Sequence, residues 1–267
     1  MESAAARSKA LYETMVPRLR PEVVDFLTQV YDLTEPHEAD FNFFRKFQSN
    51  LISYIDVGAN VGLTALSMNK CAKLAAGWGF EINPRLQPAL DIASSFCVDY
   101  RYTLTGLSDS ANDGILIVPL IDGYAEYGEA SLSEDNFKRS EVMGRLWSYS
   151  KTGKVDFDHI PVKFDKLDNQ VEALKFLQTR PLRLLKVDVE GHEASVLAGG
   201  NEFIKEARPI VLIEEGHRPE IIDMMKRLGY NPYAVTPDLS IEPLSGATLN
   251  TLFLNEAHLR EFPKYTF

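Results

Sequence analysis

Cysteine is almost missing: Cys71 and Cys97 are the two in a chain of 267 residues. They form no CxxC pair, so the usual zinc pattern is not there. Such sparse thiols read as small, reduced, buried apolar residues, which fits a cytoplasmic compartment. Runs of Lys and Arg are missing too, and the net charge is −10. Phosphate backbones bind through basic side chains, so nucleic acid is excluded as an expected partner. An acidic chain is equally unsuited to anionic lipid. Arg7 and Lys9 near the N-terminus precede no apolar stretch, so no secretory signal is expected, and no window approaches the length of a membrane span. There is no internal repeat and no low-complexity tract.

What is present is ordinary globular usage, 45% apolar and 25% charged, enough for one large domain with an insertion. Residues 10–31 carry Leu11, Met15, Leu19, Val23, Phe26, Leu27 and Val30 near one helical face. Pro17 and Pro21 interrupt it, which predicts two short helices or a kink. Packing against the main domain is the expectation, with a lid or a homodimer contact as alternatives. Phe41 to Phe47 reads as an aromatic-rich helix.

From residue 51 strands and helices alternate. The strands are Leu51–Val57, Gly79–Ile82, Tyr100–Thr105, Leu182–Val189 and Pro209–Glu214. The intervening helices are Leu63–Ala76, Pro84–Phe96, Val171–Leu177, a helix from Glu193 ended by Gly199-Gly200, and Pro219–Leu228 ended by Gly229. Tyr233–Val235 and Leu249–Leu254 read as closing strands, an antiparallel pair. Alternation of this kind predicts βαβ units and a doubly wound α/β fold with a mostly parallel, seven-stranded sheet. The expected organisation is a helical segment over residues 1–50 and a domain over 51–267. Gly114–Leu120 and His159–Phe164 are strands flanking a polar insertion, about residues 121–158. Its aromatics (Tyr124, Tyr127, Phe137, Trp147, Tyr149, Phe157) suit either a lid over a ligand ring or a small local core.

Chemistry is concentrated at the strand ends. In Asp56-Val57-Gly58-Ala59-Asn60-Val61-Gly62 a strand runs into a Gly-containing turn and opens a helix, a nucleotide-cofactor pattern. The dinucleotide fingerprint GxGxxG fails: aligned on Gly58, its later glycines would be Asn60 and Leu63. The missing glycines and the acid at the turn argue against a pyrophosphate and against an NAD-linked oxidoreductase. A cationic ligand fits better, and S-adenosylmethionine (SAM) carries an ammonium and a sulfonium. Glu81, at the end of the next strand, is placed to accept hydrogen bonds from ribose hydroxyls. Asp188-Val189-Glu190-Gly191-His192 follows the central strand, where ligands bind in open α/β sheets. Asp188, Glu190 and His192 are the candidate bases, with His192 best suited by its ordinary pKa. Glu214, Glu215 and His217 are expected on the same rim. No metal site is assigned; Mg²⁺ held by Asp188, Glu190 and Glu214 is the alternative.

Together Asp56 to Gly62, Phe80-Glu81-Ile82-Asn83-Pro84, Gly106-Leu107-Ser108-Asp109 and Leu184 to Glu193 resemble FkbM-type methyltransferases, in matching order over about residues 36–214. The resemblance implies a class I, Rossmann-like fold, SAM as methyl donor, and O-methyl transfer to a sugar or other hydroxylated small molecule. It places Asp56, Gly58 and Asn60 around the methionine part of SAM, Glu81 on the ribose and Leu107 to Asp109 near adenine. The cofactor-binding candidates are thus Asp56, Gly58, Ala59, Asn60, Gly62, Glu81, Asn83, Leu107 and Asp109. The expected partner is a small-molecule or glycan acceptor. N-methylation of an amine or peptide and a non-catalytic SAM-binding protein are the competing readings.

Overall fold

The computed structural model describes residues 4–15 and 19–264. Pro17, one of the two expected interruptions of the first helical segment, and the side chain of Met15 lie outside the described residues. The segment on either side forms α1 (Ala4–Met15) and α2 (Pro21–Asp32), the second opened by Pro21 at its first position, where the missing N–H is no loss. Phe41 to Phe47 forms a 3₁₀ stretch, Ala39–Lys46, rather than an α-helix.

The chain then alternates. In order come β1 (Ile52–Val57), α3 (Leu63–Cys71), β2 (Ala76–Glu81), α4 (Gln87–Phe96), β3 (Asp99–Leu104), β4 (Gly106–Leu107), β5 (Asn112–Ile121), β6 (Tyr124–Ala125), α5 (Ser140–Tyr149) and β7 (Val155–Asp165). They are followed by α6 (Val171–Leu177), β8 (Leu182–Val187), α7 (Glu193–Gly199), α8 (Asn201–Ala207), β9 (Ile210–Glu214) and α9 (Pro219–Arg227). The chain closes with β10 (Asn231–Val235), β11 (Ile241–Pro243), β12 (Asn250–Leu254) and α10 (Glu256–Glu261).

The main sheet has eight strands in the order β11-β10-β12-β9-β8-β1-β2-β3. From β3 to β9 all neighbours are parallel, and β12 runs antiparallel between β9 and β10. The seven expected strands are there, and β11 adds an eighth at the edge. Its Ile241-Glu242-Pro243 is too short and polar to show as a strand by pattern. The helix from Leu63 stops at Cys71, short of Ala76, because Ala76 already pairs with Ser53 of β1 and Asp99 of β3.

Alternation along each buried strand divides the core between two faces. Ile55, Val57, Leu185, Val187, Val211 and Ile213 point to the layer of α6 to α9. Ile52, Tyr54, Leu184 and Leu212 point to the layer that holds α3 and the rings of Phe41, Phe43, Phe44 and Phe47.

A second sheet, β4-β7-β5-β6, stands apart from the first. Its centre is the antiparallel pairing of β5 with β7 from Asn112↔Phe164 to Ile121↔Val155. The insertion is therefore shorter than expected, residues 122–154, since 155–158 extend β7. It carries α5 and two 3₁₀ turns, Tyr127–Glu129 and Glu134–Lys138. Leu116, Val118, Ile160 and Val162 of this sheet pack with Tyr12, Val24, Leu27, Ala89 and Ile92, so α1, α2 and α4 cover it.

Candidate active site

The carboxyl ends of β1, β2, β4 and β8 open onto one cavity of about 480 Å³. One wall begins at Gly58. The turn there is forced, because φ is +89° and an added Cβ would lie 1.7 Å from the Asp188 carbonyl oxygen. Only glycine lets β1 and the end of β8 approach so closely. The Gly58 and Ala59 N–H groups both donate to the Phe80 carbonyl, at 2.9 and 3.0 Å, which locks the turn onto β2.

Glu81 holds the next corner. Its carboxylate accepts from the Asn60 N–H and the Asn83 N–H, both at 2.7 Å. Burial pushes its pKa up to about 7, and those N–H donors work against the shift. A carboxylate has about four lone-pair sites, so it can still accept from a ligand. Gly58, Asn60, Glu81, Asn83 and Leu107 line the cavity, as do Ile82, Leu86, Phe164 and Leu116. Asp56, Ala59, Gly62 and Asp109 do not. Ala59 is buried, Gly62 caps α3 at φ +88°, and Asp109 is exposed and accepts from the Ser110 hydroxyl at 3.0 Å. Asp56 is fully buried behind the wall, and neither of its oxygens has a hydrogen-bond partner of good geometry. Burial pushes its pKa up to about 7, against the pull of Lys186.

The adjoining wall is the loop after β8. Asp188, Val189, Glu190, Gly191 and His192 all line the cavity, so the structure brings the three candidate bases together. Asp188 continues the ladder through its N–H to the Val57 carbonyl, 2.9 Å. Its carboxylate accepts from the buried Lys186 ammonium at 2.7 Å. Burial would raise its pKa, but Lys186, the Glu214 hydrogen bond and His37 together outweigh that and hold Asp188 low. Glu214, hydrogen-bonded to Asp188, is shifted up by that bond, by burial and by the Asp188 charge. Glu190 has φ +52° and sits exposed at the cavity mouth. The surrounding protein and Asp188 push its pKa up to about 7, a shift that water at the mouth screens.

His192 Nε2 is 2.9 Å from the Ser108 hydroxyl and its ring lies against Phe164. Burial lowers its pKa, so it is neutral near pH 7 and able to take a proton. If Ser108 donates to Asp109, Nε2 carries the hydrogen and Nδ1 is the free base. His217, also expected on the rim, is tied to the Thr248 carbonyl at 3.1 Å.

Sequence reasoning missed three features. Glu193 is almost fully buried, accepts from the Val189 and Gly191 N–H groups, and pairs with Arg218, fixing the loop after β8. Lys186 is the buried partner of Asp188. The insertion supplies a polar wall, Ser131, Ser133, Asp135, Asn136 and Arg139, with Tyr127 its one cavity-lining aromatic. Phe137 and Phe157 instead pack on each other, ring centres 4.8 Å apart and tilted, in a local core with Ile121, Val142 and Leu146.

Among the described residues, oxygens of Asp188, Glu190 and Glu214 lie within 4.8 Å of one another, close enough for a divalent cation to bridge them. The Lys186 ammonium already occupies one of those carboxylates.

A parallel sheet in this order, with β12 running antiparallel between β9 and β10, β11 added at the edge and a glycine turn after β1, has the class I methyltransferase fold. The family model of the methyltransferase FkbM domain matches residues 56–232, and the chain belongs to that family. No curated protein matches it. Among solved structures, it is similar to the methyltransferase FkbM from Methylobacillus flagellatus KT at 15% identity and a TM-score of 0.43, over 93% of this chain and 59% of that one. It is also similar to the precorrin-6y C5,15-methyltransferase from Geobacter metallireducens GS-15, at 7% identity and a TM-score of 0.36, over 80% of this chain and 84% of that one.

Proposed function

We propose that this methyltransferase is SAM-dependent and transfers a methyl group to a hydroxyl of a sugar or other hydroxylated small molecule. The observation that carries the reading is the set of groups that line one cavity. The glycine turn, Glu81, the adjoining Asp188, Glu190 and His192, and the polar side chains of the insertion all face it. SAM, when bound, supplies an electrophilic methyl on a sulfonium. Its cationic groups suit an acidic wall backed by the buried Asp56 carboxyl. Glu81 keeps acceptor capacity for ribose hydroxyls, and Ile82, Leu107 and Phe164 offer apolar surface for a base. A cavity of about 480 Å³ falls in the range of small-molecule sites.

The protein's own part is to hold the acceptor hydroxyl in line and to take its proton. Ser131, Ser133 and Asn136 are suited to hydrogen-bond a hydroxylated acceptor. A neutral His192 or an ionised Asp188 or Glu190 receives the proton. The partner on this reading is a small molecule or glycan rather than nucleic acid or membrane; no helix among the described residues is long and apolar enough to cross one. The acids Asp135, Asp188 and Glu190 in the cavity favour a second reading, N-methylation of an amine, whose cation they would attract.

The test is calorimetry with S-adenosylhomocysteine, with and without EDTA, followed by an acceptor screen led by sugars and including amines. One-site binding in both conditions is expected. His192→Ala is expected to lower turnover on the acceptor found more than it lowers cofactor affinity. Folded protein that binds no S-adenosylhomocysteine removes the cofactor assignment.

A further inference from the structure

The cavity's carboxylates have a cation of their own. Lys186 lies in β8, opposite Asp56 of β1 on one side and Leu212 of β9 on the other. Glu214 follows Leu212 by two residues, and Asp188 follows Lys186 by two. Strand periodicity therefore turns Asp56, Lys186 and Glu214 to the same face of the sheet. Lys186 is 1% exposed, and its ammonium donates to Asp188 at 2.7 Å. From outside the sheet comes Glu38, held at 2.9 Å by the Asn250 side-chain amide and facing the same ammonium, with His37 beside it.

Burial alone would push the lysine toward its neutral form. Asp188, Asp56 and Glu38 outweigh it and hold the ammonium above its ordinary value. Removing the one ammonium from this buried set strands its carboxylates as uncompensated charge.

We propose that Lys186 is the resident counter-ion of the active-site carboxylates, a positioning residue that acts through Asp188 and stands where a divalent cation would otherwise be held. Mg²⁺ requires near-octahedral oxygen donors at about 2.0–2.1 Å. A dication offered to Asp188, Glu190 and Glu214 meets a carboxylate already bonded to an ammonium, and the two cations repel. The consequence is a site that keeps Asp188 ionised and oriented without metal. What Asp188 then does for an acceptor rests on the methyltransferase reading; the charge assignment does not.

The test uses the full chain and Mn²⁺ alone as a paramagnetic probe, its free signal read by electron paramagnetic resonance, with thermal melting in parallel. Wild type is expected to leave Mn²⁺ free up to millimolar concentration. Lys186→Gln is expected to melt lower, to take up a single Mn²⁺ that restores part of the loss, and to stop doing so when Asp188→Asn is added. Lys186→Arg, which keeps the charge, is expected to melt near wild type and to ignore Mn²⁺. Two outcomes overturn the proposal: micromolar Mn²⁺ binding by wild type that Asp188→Asn abolishes, or a folded Lys186→Gln that takes up none. Should Lys186→Gln fail to fold, wild type and Lys186→Arg decide it, since binding by either contradicts the assignment. A wild-type sample that ignores Mn²⁺ yet binds no S-adenosylhomocysteine sinks the methyltransferase reading and leaves the counter-ion standing.

Discussion

Asp56 stands next to last in β1 with its carboxyl fully buried and its pKa raised to about 7 by that burial. In the unfolded chain the same group titrates near 3.9. Below about pH 4 it is neutral in both states and contributes nothing. Between about pH 4 and 7 the unfolded chain has released the proton and the folded protein still holds it, so stability falls as pH rises through that window, then levels off. Asp56→Asn removes the penalty. The ligand-free protein is expected to gain on the order of 2–4 kcal/mol at pH 8 and less than half of that at pH 5. Urea unfolding at both pH values measures it, and an equal gain at the two would contradict the burial argument. At pH 8, where Asp56 is ionised, the same variant is expected to bind S-adenosylhomocysteine at least about tenfold more weakly, because a site that favours a cation has lost its anion. Much of this was legible beforehand: Gly58, Glu81, Asp188 and His192 stand where strand ends and turn chemistry put them. Lys186 was not, because a lysine inside Leu-Leu-Lys-Val reads as one polar interruption of a strand. Its meaning needs the neighbouring strands in register, which places Asp56 across from it. Glu193 likewise reads as an ordinary first-turn acid until its partner Arg218 arrives from the far side of β9.

At the scale of elements, the regular βαβ alternation was readable and the insertion was not, since residues 122–154 follow neither a 2.0 nor a 3.6 period for long. What orders that stretch comes from elsewhere in the chain. Leu19 bridges to Ala125. Arg20 pairs with Glu126 and lies over the Tyr149 ring, 5.0 Å from its centre. Lys151 reaches Glu22 at 2.7 Å. The start of α2 thus braces both ends of the cavity's polar wall, Glu126 just before Tyr127 and Tyr149 at the end of α5. The Arg20–Glu126 pair is largely shielded from water, 20% and 13% exposed, so it is worth more than a surface ion pair. Arg20→Met is expected to speed amide hydrogen exchange across residues 126–149 by about tenfold or more while leaving 56–62 unchanged. Global loss of protection, or none, would detach the brace from the wall. Cofactor affinity is expected to stay within about twofold, because the glycine turn and Glu81 lie on the other sheet.

For the whole molecule, the charge of −10 and the acids gathered at one end of the sheet bear on what the protein can bind and how it responds. A ligand that binds only the folded state stabilises it by mass action, about 2.7 kcal/mol at one hundred times its dissociation constant. For a chain of this size each kcal/mol moves the melting temperature by roughly 2–4 °C. Saturating S-adenosylhomocysteine is therefore expected to raise the melting temperature by about 5–10 °C. Because Lys186 already neutralises part of the carboxylate cluster, the rise is expected to be the same in EDTA and in excess Mg²⁺. SAM differs from this probe by a methyl group and a positive charge, so its shift is expected to be the more sensitive to salt, as attraction to the acidic wall is screened within about 10 Å at 0.1 M. Equal salt dependence for the two would mean that the wall does not act on the sulfonium. A rise that vanishes in EDTA would return the three carboxylates to a metal and Lys186 to a purely structural place in β8.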